Sequence, residues 1–370
     1  MFSFSLSSLR PLVRRLAPVL AIALCSCGGG GGSSSPVAPG DAAAQSPLAV
    51  AAADASAPAL TETPATPTAT PPATTPPVAA SPLVPATVDA SLAVPVTAPA
   101  LPVLAHAWPL LGVTTDDPNT DTTAQVEALA ALPRRAALRV VLDQGTAPAD
   151  YVASVRRLAA VADVMALPLD SSDMKKVDAA QAGDRARRYM AALQDAASIW
   201  EVGNEVNGNW VGSDPVGKIE AMFDAAKAYG KRTAVTFYYE NPATPGHDML
   251  PWIDANIPAG HRLRTGLDYV FVSYYEDQNG GHKLTQAEID TMFSGLARRF
   301  PNARVGFGEF GWGGKIPADA AVRAELIQRI HGTTSSEPAF VGGGFYWHFR
   351  QTMSPMNKPD FALLQEAAGR

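Results

Sequence analysis

The stretch Ile199-Trp200-Glu201-Val202-Gly203-Asn204-Glu205-Val206-Asn207-Gly208-Asn209-Trp210 opens as a short β-rich run and ends in polar residues and glycine. Working outward, runs of the same texture stand at 110–113, 138–143, 164–169, 233–239, 269–275, 305–310 and 343–348, which with 199–203 makes eight. Segments of helical period separate them. Ile219, Met222, Phe223, Ala226 and Tyr229 fall on one face ahead of Gly230, and Ile289, Met292, Phe293 and Leu296 repeat the spacing ahead of Pro301. Strand and helix in alternation predict a parallel sheet. Eight units in about 265 residues match the α/β class and the size of a (β/α)₈ TIM barrel, roughly 250 residues. An open doubly wound sheet would carry a phosphate-binding glycine loop after its first strand, whereas here that strand runs into Thr114-Thr115-Asp116-Asp117.

The rest of the 370-residue chain reads differently. Residues 1–27 place Arg10, Arg14 and Arg15 ahead of a short apolar run, the layout of a secretory signal and too short to span a membrane. Leu24-Cys25-Ser26-Cys27 is similar to a bacterial lipobox, which implies acylation of Cys27 and a lipid anchor as the sole membrane contact. Gly28 after that cysteine is not the aspartate of inner-membrane retention, so the expected location is the cell envelope, on the outer membrane. Residues 28–104 are almost wholly Gly, Ala, Pro, Ser, Thr and Val, with too little to bury against the entropy of ordering, and are expected to form a disordered linker. Repeats such as Thr63-Pro64-Ala65-Thr66-Pro67 favour extended backbone and a semi-rigid tether. The third region, 105–370, is the expected barrel, and without a cysteine it must be stable through its core.

A net charge of −6 and no Lys/Arg run with interleaved aromatics set nucleic acid aside. The six histidines show no close ligand spacing, and the glycine runs lack what a phosphate cradle needs, so neither metal nor cofactor is expected. A Gly-x-Ser-x-Gly elbow is also missing, which argues against the commonest serine-hydrolase chemistry. The chain is expected to act as a monomer.

In a barrel the reactive groups stand at the C-terminal strand ends. There the fourth run delivers Asn204-Glu205 and the seventh, Val305-Gly306-Phe307-Gly308-Glu309-Phe310-Gly311-Trp312, delivers Glu309. Two carboxyl groups across one mouth supply what glycoside cleavage requires, one to protonate the leaving oxygen and one to attack or to activate water. Trp-Glu-x-x-Asn-Glu on the fourth strand with Gly-Glu-x-Gly-Trp on the seventh resembles clan A glycoside hydrolases, which are retaining (β/α)₈ barrels; the likeness spans 105–370. It implies a polysaccharide or oligosaccharide substrate, with Glu205 as acid/base, Asn204 as holder of the sugar 2-hydroxyl and Glu309 as nucleophile. In Ser273-Tyr274-Tyr275 it implies Tyr275, with Tyr274 as second choice, as donor to the nucleophile; the clan often has histidine where Ser273 stands. It further implies Trp347 in Phe345-Tyr346-Trp347-His348 as floor of the cleavage subsite, and Arg139 as the active-site arginine.

Glu201, two residues before Gly203, is expected inside the barrel in a structural role. Trp210, Tyr238, Tyr239 and Trp312 follow strand ends, where stacking on sugar rings and ordinary packing are both open. Two other functions use the same features: a carbohydrate-binding protein without turnover on a hydrolase-like barrel, and a transglycosylase that passes the covalent intermediate to a sugar acceptor.

Overall fold

The computed structural model describes residues 110–241 and 243–370. The expected signal peptide, the acylated Cys27, the linker and the first residues of the third region lie outside the described residues.

The chain alternates as expected: β1 (Gly112–Thr115), α1 (Thr122–Ala130), β2 (Ala136–Val141), α2 (Pro148–Val161), β3 (Ala162–Leu167), α3 (Ser171–Met174), α4 (Ala179–Leu193), β4 (Ala197–Glu201), α5 (Pro215–Ala228), β5 (Arg232–Tyr238), α6 (Met249–Asn256), α7 (Arg262–Gly266), β6 (Tyr269–Tyr275), α8 (Gln286–Arg299), β7 (Arg304–Gly311), α9 (Ala320–His331), β8 (Phe345–Tyr346) and α10 (Phe361–Ala368). All neighbouring strands are parallel and β1 closes on β8, so the fold is a (β/α)₈ barrel.

Period-2 alternation divides the strand side chains into two clusters. Trp200, Val202, Val235, Phe237, Val270, Val272, Val305 and Phe307 point outward to meet the helices, where α5 contributes Ile219, Met222 and Phe223 and α8 contributes Ile289, Met292 and Phe293. Met165, Ile199, Ala234, Tyr269, Phe271 and Phe345 point inward and fill the barrel floor. Two of the helices begin where side chains satisfy their free amides: α4 and α8 each start with a capping box, Asp178 with Gln181 and Thr285 with Glu288.

The eighth strand is shorter than the 343–348 expected. Gly343 has φ +53° and a Cβ there would sit 1.9 Å from the Leu110 carbonyl oxygen, so the incoming chain crosses where the strand would have begun. Past Tyr346 the chain keeps one ladder bond, Trp347 N–H to the Phe310 carbonyl at 2.9 Å, before winding into a π turn at Phe349–Met353.

Candidate active site

The position of Glu309 depends on a bulge. On β7, Val305 and Phe307 face the helices, and strict alternation would send Glu309 the same way. Val272 of β6 pairs with Phe307, yet Tyr274 pairs with Phe310, so β7 spends three residues where β6 spends two. That extra residue reverses the phase, and Glu309 pairs with the inward Phe345 of β8. Gly308 fits the crowded bulge, since a Cβ there would lie 2.7 Å from Thr236 Cγ2.

Glu205 reaches the mouth by a different device. Past Glu201 the chain still bonds to β5, with Thr236 N–H donating to the Gly203 carbonyl at 2.9 Å, and then turns so tightly that Glu205 takes φ +47°. A non-glycine residue in the left-handed region costs on the order of 1 kcal/mol or more and concentrates at functional sites.

The side chains around Glu309 form one connected set. Tyr275 Oη donates to Oε2 at 2.7 Å and Asn204 Nδ2 donates to Oε1 at 3.1 Å. Arg139 Nη1 pairs with Oε1 at 2.7 Å, off the line of its N–H bonds, while its Nε donates to Glu201 Oε2 at 2.5 Å. Thr236 donates to the other oxygen of Glu201. Arg139 and Glu201 are fully buried in the barrel interior, and the guanidinium lies 5.8 Å from the centre of the Trp347 ring. A buried guanidinium is costly unless paired. Two carboxylates outweigh the burial that would pull Arg139 down, and hold it above its ordinary value.

Glu205 lies in other company. Ser273 Oγ donates to its Oε1 at 2.7 Å and Ser171 Oγ to its Oε2 at 3.0 Å. Among the described residues no guanidinium or ammonium pairs with it. Burial pushes Glu205 up, the charge of Glu309 adds to this and Asp170 adds more, against the two serine hydroxyls, and the carboxyl is pushed up to about 8. The mouth leaves the Glu205 side chain partly exposed, which tempers burial. Glu309 is also raised by burial, but Arg139 and Tyr275 oppose it. The two carboxyls titrate as a pair, and the Arg139 guanidinium favours the charge on Glu309. Burial and the charge of Glu309 keep the Tyr275 phenol protonated, a donor at any working pH.

Of the residues read from the sequence, Glu205, Glu309, Asn204, Tyr275, Arg139 and Trp347 are thus brought together. Tyr274 is not. It points outward, fully buried, with its hydroxyl donating to the His282 carbonyl and its ring on Tyr239 and Phe307. Trp312 is 7 % exposed and stacked on His348, so most of its surface is packing. Trp210 is half-buried and meets Tyr238 edge-on at 5.1 Å. Among the described residues no group of His, Cys, Asp and Glu is arranged to hold a metal ion.

No protein-family model and no curated protein matches the chain. Solved structures do. A GH53 catalytic domain of Ignisphaera aggregans is 14 % identical with a TM-score of 0.42, over 61 % of this chain and 76 % of that one. A GH128 endo-β-1,3-glucanase of Amycolatopsis mediterranei, solved with laminaritriose, is 16 % identical with a TM-score of 0.43, over 69 % and 98 %. Triosephosphate isomerase of Bartonella henselae is 12 % identical with the same TM-score of 0.43, over 71 % and 100 %. Similarity at this level extends across barrels of different chemistry, so the function is argued from the site alone.

Three polar residues of the site were not singled out from the sequence. Asp170 follows β3, caps α3 by accepting from Ser172 N–H at 2.9 Å, and accepts from Asn204 Nδ2 at 3.4 Å. Ser171 begins α3, and Ser273, noted only as a departure from a family pattern, bonds Glu205. The signal was available: Asp170 and Ser171 are the first polar residues past a strand's C-terminal end, and Ser273 is in inward phase with Tyr275.

Proposed function

We propose that this domain is a retaining glycoside hydrolase that cleaves O-glycosidic bonds of a polysaccharide by double displacement. The carrying observation is the unequal support of two carboxyl groups in one barrel mouth: Glu309 holds Arg139, Tyr275 and Asn204, and Glu205 holds two serine hydroxyls. Environments that separate the proton affinities of two carboxyls assign acid and nucleophile.

In the first step the ionised Glu309 attacks the anomeric carbon while Glu205 gives its proton to the departing glycosidic oxygen. In the second, Glu205 takes a proton from water, whose oxygen attacks the anomeric carbon and frees Glu309. Asn204 Oδ1 is buried and has no partner among the described residues, which suits it to accept from a sugar hydroxyl beside the reacting carbon. Trp347, next to Arg139, supports a stacking floor.

The test is reducing-end release from a panel of β-glucans, galactans, mannans and bacterial exopolysaccharides, with Glu309→Gln alongside and the anomer of the first product read by NMR. Release with retained configuration that vanishes in the variant supports the reading. Glycan binding that survives the substitution, without release on any polymer, moves the assignment to a binding protein.

We further propose, from the sequence, acylation at Cys27 and outer-membrane attachment. Labelling with an alkyne fatty acid should mark the protein in its native host and fail in Cys27→Ala; equal labelling of both would refute it.

A further inference from the structure

We propose that the hydroxyls of Ser171 and Ser273 form a two-sided clamp on Glu205, fixing its carboxyl in the mouth and favouring its ionised form. The inference rests on the reading of Glu205 as acid/base and adds two positioning residues to it.

The clamp closes from two directions. Ser171 is the first residue of α3, on the loop after β3 and held by the Asp170 cap, and it donates to Oε2 at 3.0 Å. Ser273 is fully buried on the inward face of β6 and donates to Oε1 at 2.7 Å. With both oxygens held from different elements, the carboxyl plane is fixed. Each hydroxyl donates to an oxygen that is a better acceptor when charged, and protonation turns one of those oxygens into a competing donor. Both serines therefore favour the anion.

The other groups facing Glu205 explain why such a clamp is useful. Glu309 from β7 and Asp170 after β3 oppose its ionisation by charge, Tyr238 from β5 and Tyr275 from β6 face it as neutral phenols, and Arg139 from β2 is committed to Glu201 and Glu309. Left to these, Glu205 would hold its proton more tightly than it does with the two hydroxyls in place. A group that must give a proton and then take one works best when its affinity lies near the working pH. The serines pull it toward that range without a cation, which would ionise it outright and leave it no proton to give.

The test uses the purified full chain, labelled with ¹³C in glutamate side chains, and follows the Glu205 carboxyl by NMR from pH 4 to 10, its signal assigned by its loss in Glu205→Gln. Ser273→Ala and Ser171→Ala should each raise the Glu205 midpoint by about one pH unit, the size of one hydrogen bond to a charged group. Ser273→Thr keeps the hydroxyl and should stay within a few tenths of the parent. The alkaline limb of kcat/KM should move with the midpoint. A midpoint unmoved or lowered in either alanine variant overturns the clamp. The NMR reading needs no substrate, so a chain that hydrolyses nothing yet shows both shifts keeps the clamp and loses the hydrolase reading, while an active chain with unmoved midpoints does the reverse.

Discussion

The ends of β4 and β7 present the same residue to the same mouth and treat it in opposite ways. At β7 the backbone is bulged, and Glu309 meets a buried guanidinium, a phenol and an amide. At β4 the backbone is turned into the left-handed region, and Glu205 meets two hydroxyls and two nearby carboxylates. A barrel thus gives two carboxyls of one amino-acid type different proton affinities by varying what stands beside each. The irregular backbone at both ends shows that neither carboxyl reaches the mouth by regular strand geometry alone.

The comparison can be broken most severely at its charged half. Glu309→Gln should lower kcat/KM by on the order of 10⁴-fold. Azide should restore turnover of a glycoside with a good leaving group in Glu205→Ala, where an anion that needs no base attacks the anomeric carbon and frees Glu309, giving a glycosyl azide of retained configuration. The inverted azide should come from Glu309→Ala. Next in size is Arg139→Met, which strands two buried carboxylates. Stability should fall by about 3–5 kcal/mol in a denaturant titration, and the acid limb of kcat/KM should move to higher pH as Glu309 loses its cation. An unmoved acid limb would mean that Arg139 only fills space.

Tyr275→Phe removes one donor from Glu309 and should cost roughly 10²–10³-fold in kcat, again with the acid limb moving up; Tyr274→Phe should leave both unchanged. The smallest effect concerns stability. The folded-state affinity of Glu205 is raised, so its contribution is present below its ordinary carboxylate range and is lost as pH rises through about 8. Glu205→Gln does not titrate, and its melting temperature should gain on the parent between pH 5 and pH 9. A gap that is constant with pH would mean that Glu205 is not held protonated.

The barrel was legible because its strands are short apolar runs between helices whose buried faces recur every three or four residues, and α5 and α8 bury the residues that the spacing marked except Tyr229, which stands half-buried at the end of α5. The two glutamates were legible as polar residues at strand ends. What escaped depends on phase and on shape. The bulge in β7 is marked in Gly308-Glu309-Phe310 only by a strand glycine, which does not fix the phase, and counting by twos from Val305 would have turned Glu309 away from the mouth. Tyr274 and Tyr275 are equally at home in a strand, and only the inward phase of Tyr269 and Phe271 selects the second. Asp170-Ser171-Ser172 reads as an ordinary helix start, which it also is; its second role at Glu205 depends on a contact 34 residues away in sequence.

Glu309, and not Glu205, is proposed as the nucleophile. That assignment is tested most directly by incubating the protein with a panel of 2-deoxy-2-fluoroglycosides bearing a good leaving group, measuring the intact mass and then locating the adduct in a proteolytic digest. A gain of one fluoroglycosyl group, carried by the peptide containing Glu309, is the predicted result. A label on Glu205, or natural substrate hydrolysed with inversion while no adduct forms, would contradict it.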